Sequence, residues 1–450
     1  MLELPLELEQ KITEIAGADN FFTFAPAPGK KDAGCRIVRP GSVEGLSEIV
    51  RLCSAARVPM YPSGGRAESL PEACRAMLVL SLERLNRVLD VDLVARTITL
   101  EAGCTFADAR RAADEAGFLF PLYMNAADEA QVGSRLASNV IHTAASRYGA
   151  PKDLTLGLRL VLPDGTIRDG LKNYANAEAD TMKNLFVGSQ GRLGFIAGAT
   201  LKLHPKPVEV RRMLCGMPNV AGVPKLFALS QHLGATLLTG FDLFSKNGFD
   251  RMRTRSEAVK NPLSEECAWY VLIELSSTVQ NDRLPAFLNE LKNEAVQKGL
   301  IREAFCESNG ELAVLSDAVR GLAHPSAPAI TREANVPVSK VAETVGRLAL
   351  QMQYSFPSFM FMPMARVGEG ALFLNVQPTE SGKGGEILTE EGKLYTLFDE
   401  TVRQAGGSLA EQQDAPSPDH PLSGVPEAMD MFRAVRMSFD PYGLMKPEKK

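Results

Sequence analysis

Paired cysteines are what this chain most plainly lacks. Cys35, Cys53, Cys74, Cys104, Cys215, Cys267 and Cys306 are scattered, with no CxxC spacing. That excludes a conventional iron–sulfur cluster or structural zinc site built from this chain. An odd, dispersed set fits reduced thiols and a cytosolic location. Positive charge is not in surplus either. The 49 Lys and Arg stand against 54 Asp and Glu, a net charge of -5, which argues against a nucleic-acid binder held by many phosphate contacts. No apolar run approaches the ~18 residues that a membrane-spanning helix needs. The opening MLELPLELEQKITEIAG has neither the basic start nor the apolar middle of a signal peptide. No GxGxxG opens a helix, so a Rossmann dinucleotide site is not expected. What remains is ordinary globular composition, 45% hydrophobic and 23% charged over 450 residues. A chain of this length buries a sizeable core and divides into two or three domains.

Patterning locates the elements. Residues 5–16 read as an amphipathic helix, and 35–40 as a short strand stopped by Pro40. Ser42 caps a helix with Leu46, Ile49, Val50 and Cys53 on one face. Strands follow at 58–61, 77–82 and 97–103. Thr105 and Asp108 resemble a capping box for a helix running to Ala116. Leu158–Leu162 and Thr166–Arg168 flank Pro163-Asp164-Gly165, a hairpin with proper turn chemistry. A strand over 194–203 ends at Pro205 and Pro207. Beyond Pro207, strands such as VEVRRMLCGM and WYVLIELSS alternate with helices near 222–234, 283–298 and 336–353. That texture suggests a second domain, an antiparallel sheet covered by helices. FMFMPM and ALFLNV read as a strand pair across 366–370. Residues 413–427 read as a mobile loop, and the tail as a helix followed by a Pro-Gly turn.

Three glycine-rich turns stand close together in sequence: Pro62-Ser63-Gly64-Gly65, Gly133-Ser134 and Gly188-Ser189-Gln190-Gly191. Each alone is an ordinary turn. Together they offer runs of backbone amides that form an anion nest without a lysine. Gly133, Gly149, Gly188, Gly191 and Gly194 have no Cβ, so a rigid ligand can approach their amides closely.

These residues carry a resemblance. RPGSVEGLSEIVRLC (39–53), PSGG (62–65), SLERLNRVLDVD (81–92), TLEAG (99–103) and GFLFP (117–121) resemble the FAD-binding domain of the vanillyl-alcohol-oxidase superfamily, the PCMH-type domain. The resemblance extends through RYGAPKDLTLGLRLVLPDG, LFVGSQGRLGFIAGATLKLHPKP and FDPYGLMKP, collinear from about Arg39 to Pro447. It is most specific in LFVGSQGRLG and points to the D-lactate dehydrogenase and glycolate oxidase flavoprotein branch. It implies an α+β fold with a PCMH-type FAD-binding domain of two α+β subdomains and a cap domain. The domains expected are a lead-in at 1–34, the FAD domain at 35–207, the cap at 208–435 and a returning segment at 436–450.

Carried over position by position, Pro62, Ser63, Gly64, Gly65, Arg66 and Ala67 would hold the pyrophosphate of FAD. Gly133, Ser134, Ser138 and Asn139 would line the flavin and phosphates, with Gly149 close by. Gly188, Ser189, Gly191, Gly194 and Ile196 would serve the adenine side. Arg66 stands where some relatives carry a flavin-linking histidine, so FAD is expected to be non-covalent. His142 replaces a family glycine and stands either as a structural residue or as a base near the flavin.

The cap departs further. The family's GHxGDGNxH reads Ala365-Arg366-Val367-Gly368-Glu369-Gly370-Ala371-Leu372-Phe373, and its EHG reads Glu411-Gln412-Gln413. Arg366, Phe373 and Gln412 thus replace the three histidines that bind metal or take the substrate proton, and no metal is expected. Candidates left for catalysis are His142, Arg366, Glu369 and Glu411. Arg366, Arg320 and Arg332 are candidates for binding a substrate carboxylate. The resemblance implies oxidation of a small carboxylate-bearing substrate such as a 2-hydroxy acid. Electrons would leave to an iron–sulfur subunit, an electron-transfer flavoprotein or a quinone. The location expected is cytoplasmic, with any membrane association made through a complex. The alternative is a degenerate flavin-binding subunit that supports a catalytic partner.

Overall fold

The computed structural model describes residues 2–24, 34–64, 72–122, 130–139, 145–172, 177–234, 236–280, 283–322, 330–378, 384–409 and 426–447. The first half opens with α1 (Leu6–Ala16), β1 (Phe21–Phe24), β2 (Cys35–Val38), α2 (Val43–Ala55), β3 (Met60–Ser63) and β4 (Leu78–Ser81). Ser42 caps α2 by accepting from the Gly45 amide at 3.0 Å. The predicted face of α2, Leu46, Ile49, Val50 and Cys53, is buried. These strands form a sheet in the order β1-β2-β4-β3.

Next come β5 (Val88–Asp92), β6 (Thr97–Glu101), α3 (Phe106–Glu115), β7 (Phe118–Leu119), α4 (Val132–Ser138), α5 (Ala145–Tyr148) and α6 (Pro151–Leu154). The half closes with β8 (Thr155–Val161), β9 (Ile167–Asp169), α7 (Ala177–Phe186), β10 (Phe195–Lys202) and β11 (His204–Pro205). Thr105 caps α3 through the Asp108 amide, as its sequence predicts. The second sheet runs β5-β6-β10-β8-β9, antiparallel throughout. One hydrophobic core joins the two sheets, and it includes Leu8, Ile12 and Ala16 of α1. The predicted lead-in at 1–34 therefore does not stand apart: α1 packs on α2, and β1 pairs with β2.

The second half contains β12 (Glu209–Met217), α8 (Val223–Gly234), β13 (Leu238–Ser245), α9 (Lys246–Arg255), β14 (Trp269–Ser277), α10 (Arg283–Gln297), β15 (Glu303–Cys306) and α11 (Ala313–Leu322). It continues with β16 (Ile330–Asn335), α12 (Val341–Ser355), β17 (Phe359–Phe361), β18 (Met364–Arg366), β19 (Ala371–Pro378), α13 (Gly384–Gln404), β20 (Ser408–Leu409) and α14 (Pro426–Phe439). Helix α12 starts later than its periodicity suggests, because a 3₁₀ turn over Val338–Lys340, entered from Pro337, precedes it. The strands make one antiparallel sheet, β15-β12-β14-β13-β18-β19-β16-β20, with β17 beside β19. Helices α8, α10, α12 and α13 cover one face. On the other face α9 and α11 pack over Phe244, Tyr270, Met364 and Phe373.

Helix α14 belongs to the first half. Its Val435 and Phe439 pack on that core, and Phe439 meets Phe186 edge-on at 5.5 Å. The chain thus returns before the predicted boundary at 436. The amide of Met60 then donates to Leu444 O at 2.7 Å, and that of Lys446 to Met60 O at 2.8 Å. The last residues thereby extend the first sheet at β3, its edge strand. The predicted loop at 413–427 lies outside the described residues up to 425; 426 and 427 begin α14.

Candidate active site

The glycine-rich turns converge. Gly64 follows β3 and sits against the first turn of α4: a Cβ on it would lie 2.6 Å from the Ser134 Cβ. Any side chain there would push the two segments apart. The 188–191 turn closes the third side. The Gly188 amide donates to Leu136 O at 3.0 Å, and the Gln190 amide to Ala137 O at 2.7 Å. Gly191 takes φ +73°, and a Cβ there would meet the Pro62 ring at 2.9 Å. Pro62, Ser63, Gly64, Ser134, Gly188, Ser189 and Gly191 are therefore one knot of backbone. Ser63 and Ser189 are buried in it.

Other predicted cofactor residues act on the protein itself. The Gly133 amide donates to Ala102 O at 2.7 Å, docking α4 on the end of β6. The Ser138 hydroxyl donates back to Ser134 O at 3.0 Å. Asn139 ends α4 in the left-handed conformation, and its Oδ1 accepts from the Lys152 amide at 3.1 Å. Gly149 turns the chain from α5 to α6, its amide donating to Ala145 O. Gly194 lies against Val161 O at the start of β10, and Ile196 is buried within that strand. Gly65, Arg66, Ala67, His142 and Glu411 lie outside the described residues.

Helix α5 joins the halves. Arg147 donates to Ser276 O at 2.8 Å, to Ser276 Oγ at 2.6 Å and to Leu237 O at 3.3 Å. Its neighbour Tyr148 meets His204 with ring centroids 4.8 Å apart. Burial, Lys202 and Arg147 push the His204 imidazole below its ordinary pKa, so it is neutral near pH 7. Helix α5 also packs on β13 and on the Val367–Glu369 turn, which carries the half-buried Glu369.

Where the sheet meets this part of the first half, charge is concentrated. Arg366 ends β18 opposite Asp242 of β13. It is 4% exposed, lies 4.9 Å over the Phe373 ring, and its Nε has no hydrogen-bond partner among the described residues. Burial raises the Asp242 pKa to about 6, opposed by Arg366 and Arg320. Two strands away Glu333 pairs in register with Phe373, on the same face as Arg366. Burial raises its pKa too, against Arg366 and Arg135. Arg135, on α4, has its own pKa lowered by burial and supported by Glu333. Four ionisable groups from both halves thus face one another.

The other two predicted arginines are committed elsewhere. Arg320 donates to Glu274 at 2.9 Å and to Asp317 at 3.2 Å. Glu274 also pairs with Arg212 at 2.9 Å. Arg332 points to the opposite face, where it grips Asp399 of α13 with bonds of 3.1 and 2.6 Å and lies 4.5 Å over Tyr395. Adjacent strand residues face opposite ways, so Glu333 and Arg332 cannot serve the same site. Asp242, Glu333 and Arg135 are absent from the sequence-derived candidates. The available signal was a charged residue at an inward position of an apolar strand, in LTGFDLFS and ITREAN.

Comparison with known proteins gives the arrangement a context. Residues 36–170 match an FAD binding domain, and residues 206–412 match the C-terminal domain of FAD linked oxidases. The chain is 25% identical over 435 residues to a D-2-hydroxyglutarate dehydrogenase of Stutzerimonas stutzeri (strain A1501), covering 95% of this chain and 91% of that one. It is 23% identical to the glycolate oxidase subunit GlcD of Bacillus subtilis (strain 168), covering 98% and 96%. Its fold is similar to that of p-cresol methylhydroxylase with substrate bound, TM-score 0.73 at 12% identity, covering 98% of this chain and 95% of that one.

Proposed function

We propose, from the premise that this chain belongs to the FAD-linked oxidases, that it oxidises a small hydroxy acid whose carboxylate is held by Arg366. The two matched domains stand in the family's order. The protein is an FAD-linked oxidoreductase with a PCMH-type FAD-binding domain and an α+β fold. The cradle fits the cofactor: Gly64 and Gly191 bring three backbone segments together where no Cβ intrudes. Pro62, Ser63, Gly64 and the 188–191 turn would hold the pyrophosphate, and Ser134 lies beside them. Bound FAD supplies a hydride acceptor.

One observation carries the substrate reading. Arg366 is buried, it leaves its Nε unpartnered among the described residues, and it directly precedes the Val367–Glu369 turn on which α5 of the cradle half packs. A guanidinium there pairs bidentately with a carboxylate and orients the adjoining C–H bond. The relatives named for D-2-hydroxyglutarate and glycolate support a hydroxy-acid donor. Non-covalent FAD agrees with Arg66 at the linking position. Electrons would pass to an iron–sulfur subunit, an electron-transfer flavoprotein or a quinone. No described helix is long and apolar enough to cross a membrane.

The test is anaerobic titration of the purified yellow protein with D-lactate, glycolate and D-2-hydroxyglutarate. Bleaching of the flavin bands by one of them is expected. The residues at the family's histidine positions favour a second reading, a flavin-binding subunit supporting a catalytic partner. A flavin that none of the three acids reduces would support that reading, or a donor of another substrate class, over the first. Peroxide release in air would instead mark a direct oxidase.

A further inference from the structure

We infer that the Glu333 carboxylate takes the substrate's hydroxyl proton, in place of the histidines whose positions Arg366 and Phe373 occupy. The inference rests on the hydroxy-acid reading above. As the C–H pair leaves the substrate carbon as hydride to oxidised FAD, the C–O bond becomes a carbonyl. The O–H proton then needs an acceptor. Arg366 cannot supply one near neutral pH, and Phe373 has no basic atom.

Placement distinguishes Glu333 from the other acids. Strand register puts it on the same face as Arg366, two strands from it. Among the described residues its charged neighbours are Arg366 from β18 and Arg135 from α4. Asp242 of β13 lies beyond Arg366. Helix α4 is also the helix that Gly64 touches, so Glu333 sits where the cap meets the cradle. The structural acids of the cap are saturated: Glu274 accepts from Arg212, Arg320 and Ser316, and Glu307 from Arg212 and the Leu312 amide. The Glu333 carboxylate accepts no hydrogen bond among the described residues.

Access separates it from Asp242. A base must return its proton to solvent after each turnover. Asp242 is 6% exposed, whereas Glu333 keeps partial exposure as a residue although its carboxylate is largely buried. Asp242, in register with Arg366, is suited to positioning that guanidinium. Burial lifts the Glu333 pKa above the ordinary carboxylate value. A base must be ionised to act, so flavin reduction should slow as pH falls through that raised value.

The experiment follows flavin reduction by stopped flow from pH 5 to 9, with whichever hydroxy acid bleaches the wild-type protein. Glu333→Gln should reduce flavin about 10²–10⁴-fold more slowly and lose the pH dependence. Its Kd for the matching 2-oxo acid, read from the oxidised flavin spectrum, should stay within about threefold of wild type by the same argument. Glu333→Ala should regain rate when formate is added. Glu333→Gln should also melt no lower than wild type at pH 8, since it removes a carboxylate that burial disfavours. A wild-type rate and pH profile in Glu333→Gln would overturn the inference and leave the hydroxy-acid reading intact. A slow variant that loses product binding in proportion, melts lower and gains nothing from formate would make Glu333 a domain-joining ion pair with Arg135. If Glu333→Gln loses FAD, Glu333→Asp decides: a slower rate with the titration retained supports the base, and an unchanged rate sinks it. A wild-type flavin inert to all three acids removes the hydroxy-acid reading, and this inference with it.

Discussion

The cradle and the cap cluster are built on opposite principles. In the cradle the chemistry is backbone. Gly64 lies against Ser134 and Gly191 against Pro62 where no Cβ intervenes, and the Gly188 and Gln190 amides are tied to α4. In the cap the chemistry is side-chain charge. Arg366, Asp242 and Glu333 of the cap come from three strands and meet Arg135 of α4, and the Arg366 Nε has no hydrogen-bond partner among the described residues. A backbone cradle recognises a large, invariant group by shape and tolerates no added atom. A cluster of half-satisfied charges is tuned by neighbours, and it stores the cost of burial until an anion arrives.

The contrast makes graded predictions. Gly64→Val should have the largest effect, loss of FAD from the purified protein, because its Cβ has no room beside Ser134. An absorbance ratio of flavin to protein equal to wild type would remove Gly64 from the cradle. Arg366→Met should keep FAD but raise the KM for the hydroxy acid by about 10²-fold, the scale of a charge-assisted bidentate pair. Steady-state kinetics with an artificial acceptor would show it. Arg332→Gln should leave that KM alone and lower stability by about 2–4 kcal/mol, because it strands Asp399 under α13. Denaturant titration measures the loss, and a raised KM would place Arg332 in the site.

Asp242→Asn should have the smallest effect, and it concerns the slope of stability with pH. The folded pKa of about 6 lies above the ordinary carboxylate value. The folded state therefore binds the extra proton, and this group's contribution is lost as pH rises from about 4 to 6. The variant's melting curve should fall less over that window than the wild-type curve. An identical slope would mean that Asp242 is ionised in the fold.

Legibility in the sequence divides along the same line. Ser42, Thr105, the Pro163-Asp164-Gly165 hairpin and the glycine turns are local signals, and each appears where its neighbours in sequence predict. The chain's resemblance carried the domain order. The cap cluster depends on which strands lie side by side. Asp242 faces Arg366 only because β13 neighbours β18, a pairing of residues 124 apart in sequence that no local pattern fixes. Arg332 and Glu333 are adjacent in sequence and face opposite ways, so period-two alternation decides their roles. Strand β13 itself was hidden because Gly240 and Asp242 interrupt its apolar run.

The edge position of β3 has a consequence for how the protein is made. The strand that leads into Gly64 acquires its second neighbour only from residues 444–446. A ribosome must therefore have made residues 444–446 before the strand leading into Gly64 has its final support. A product truncated before Leu444 would lose two buried residues of the first core along with the neighbour of β3, while the core of the second half would keep all its members.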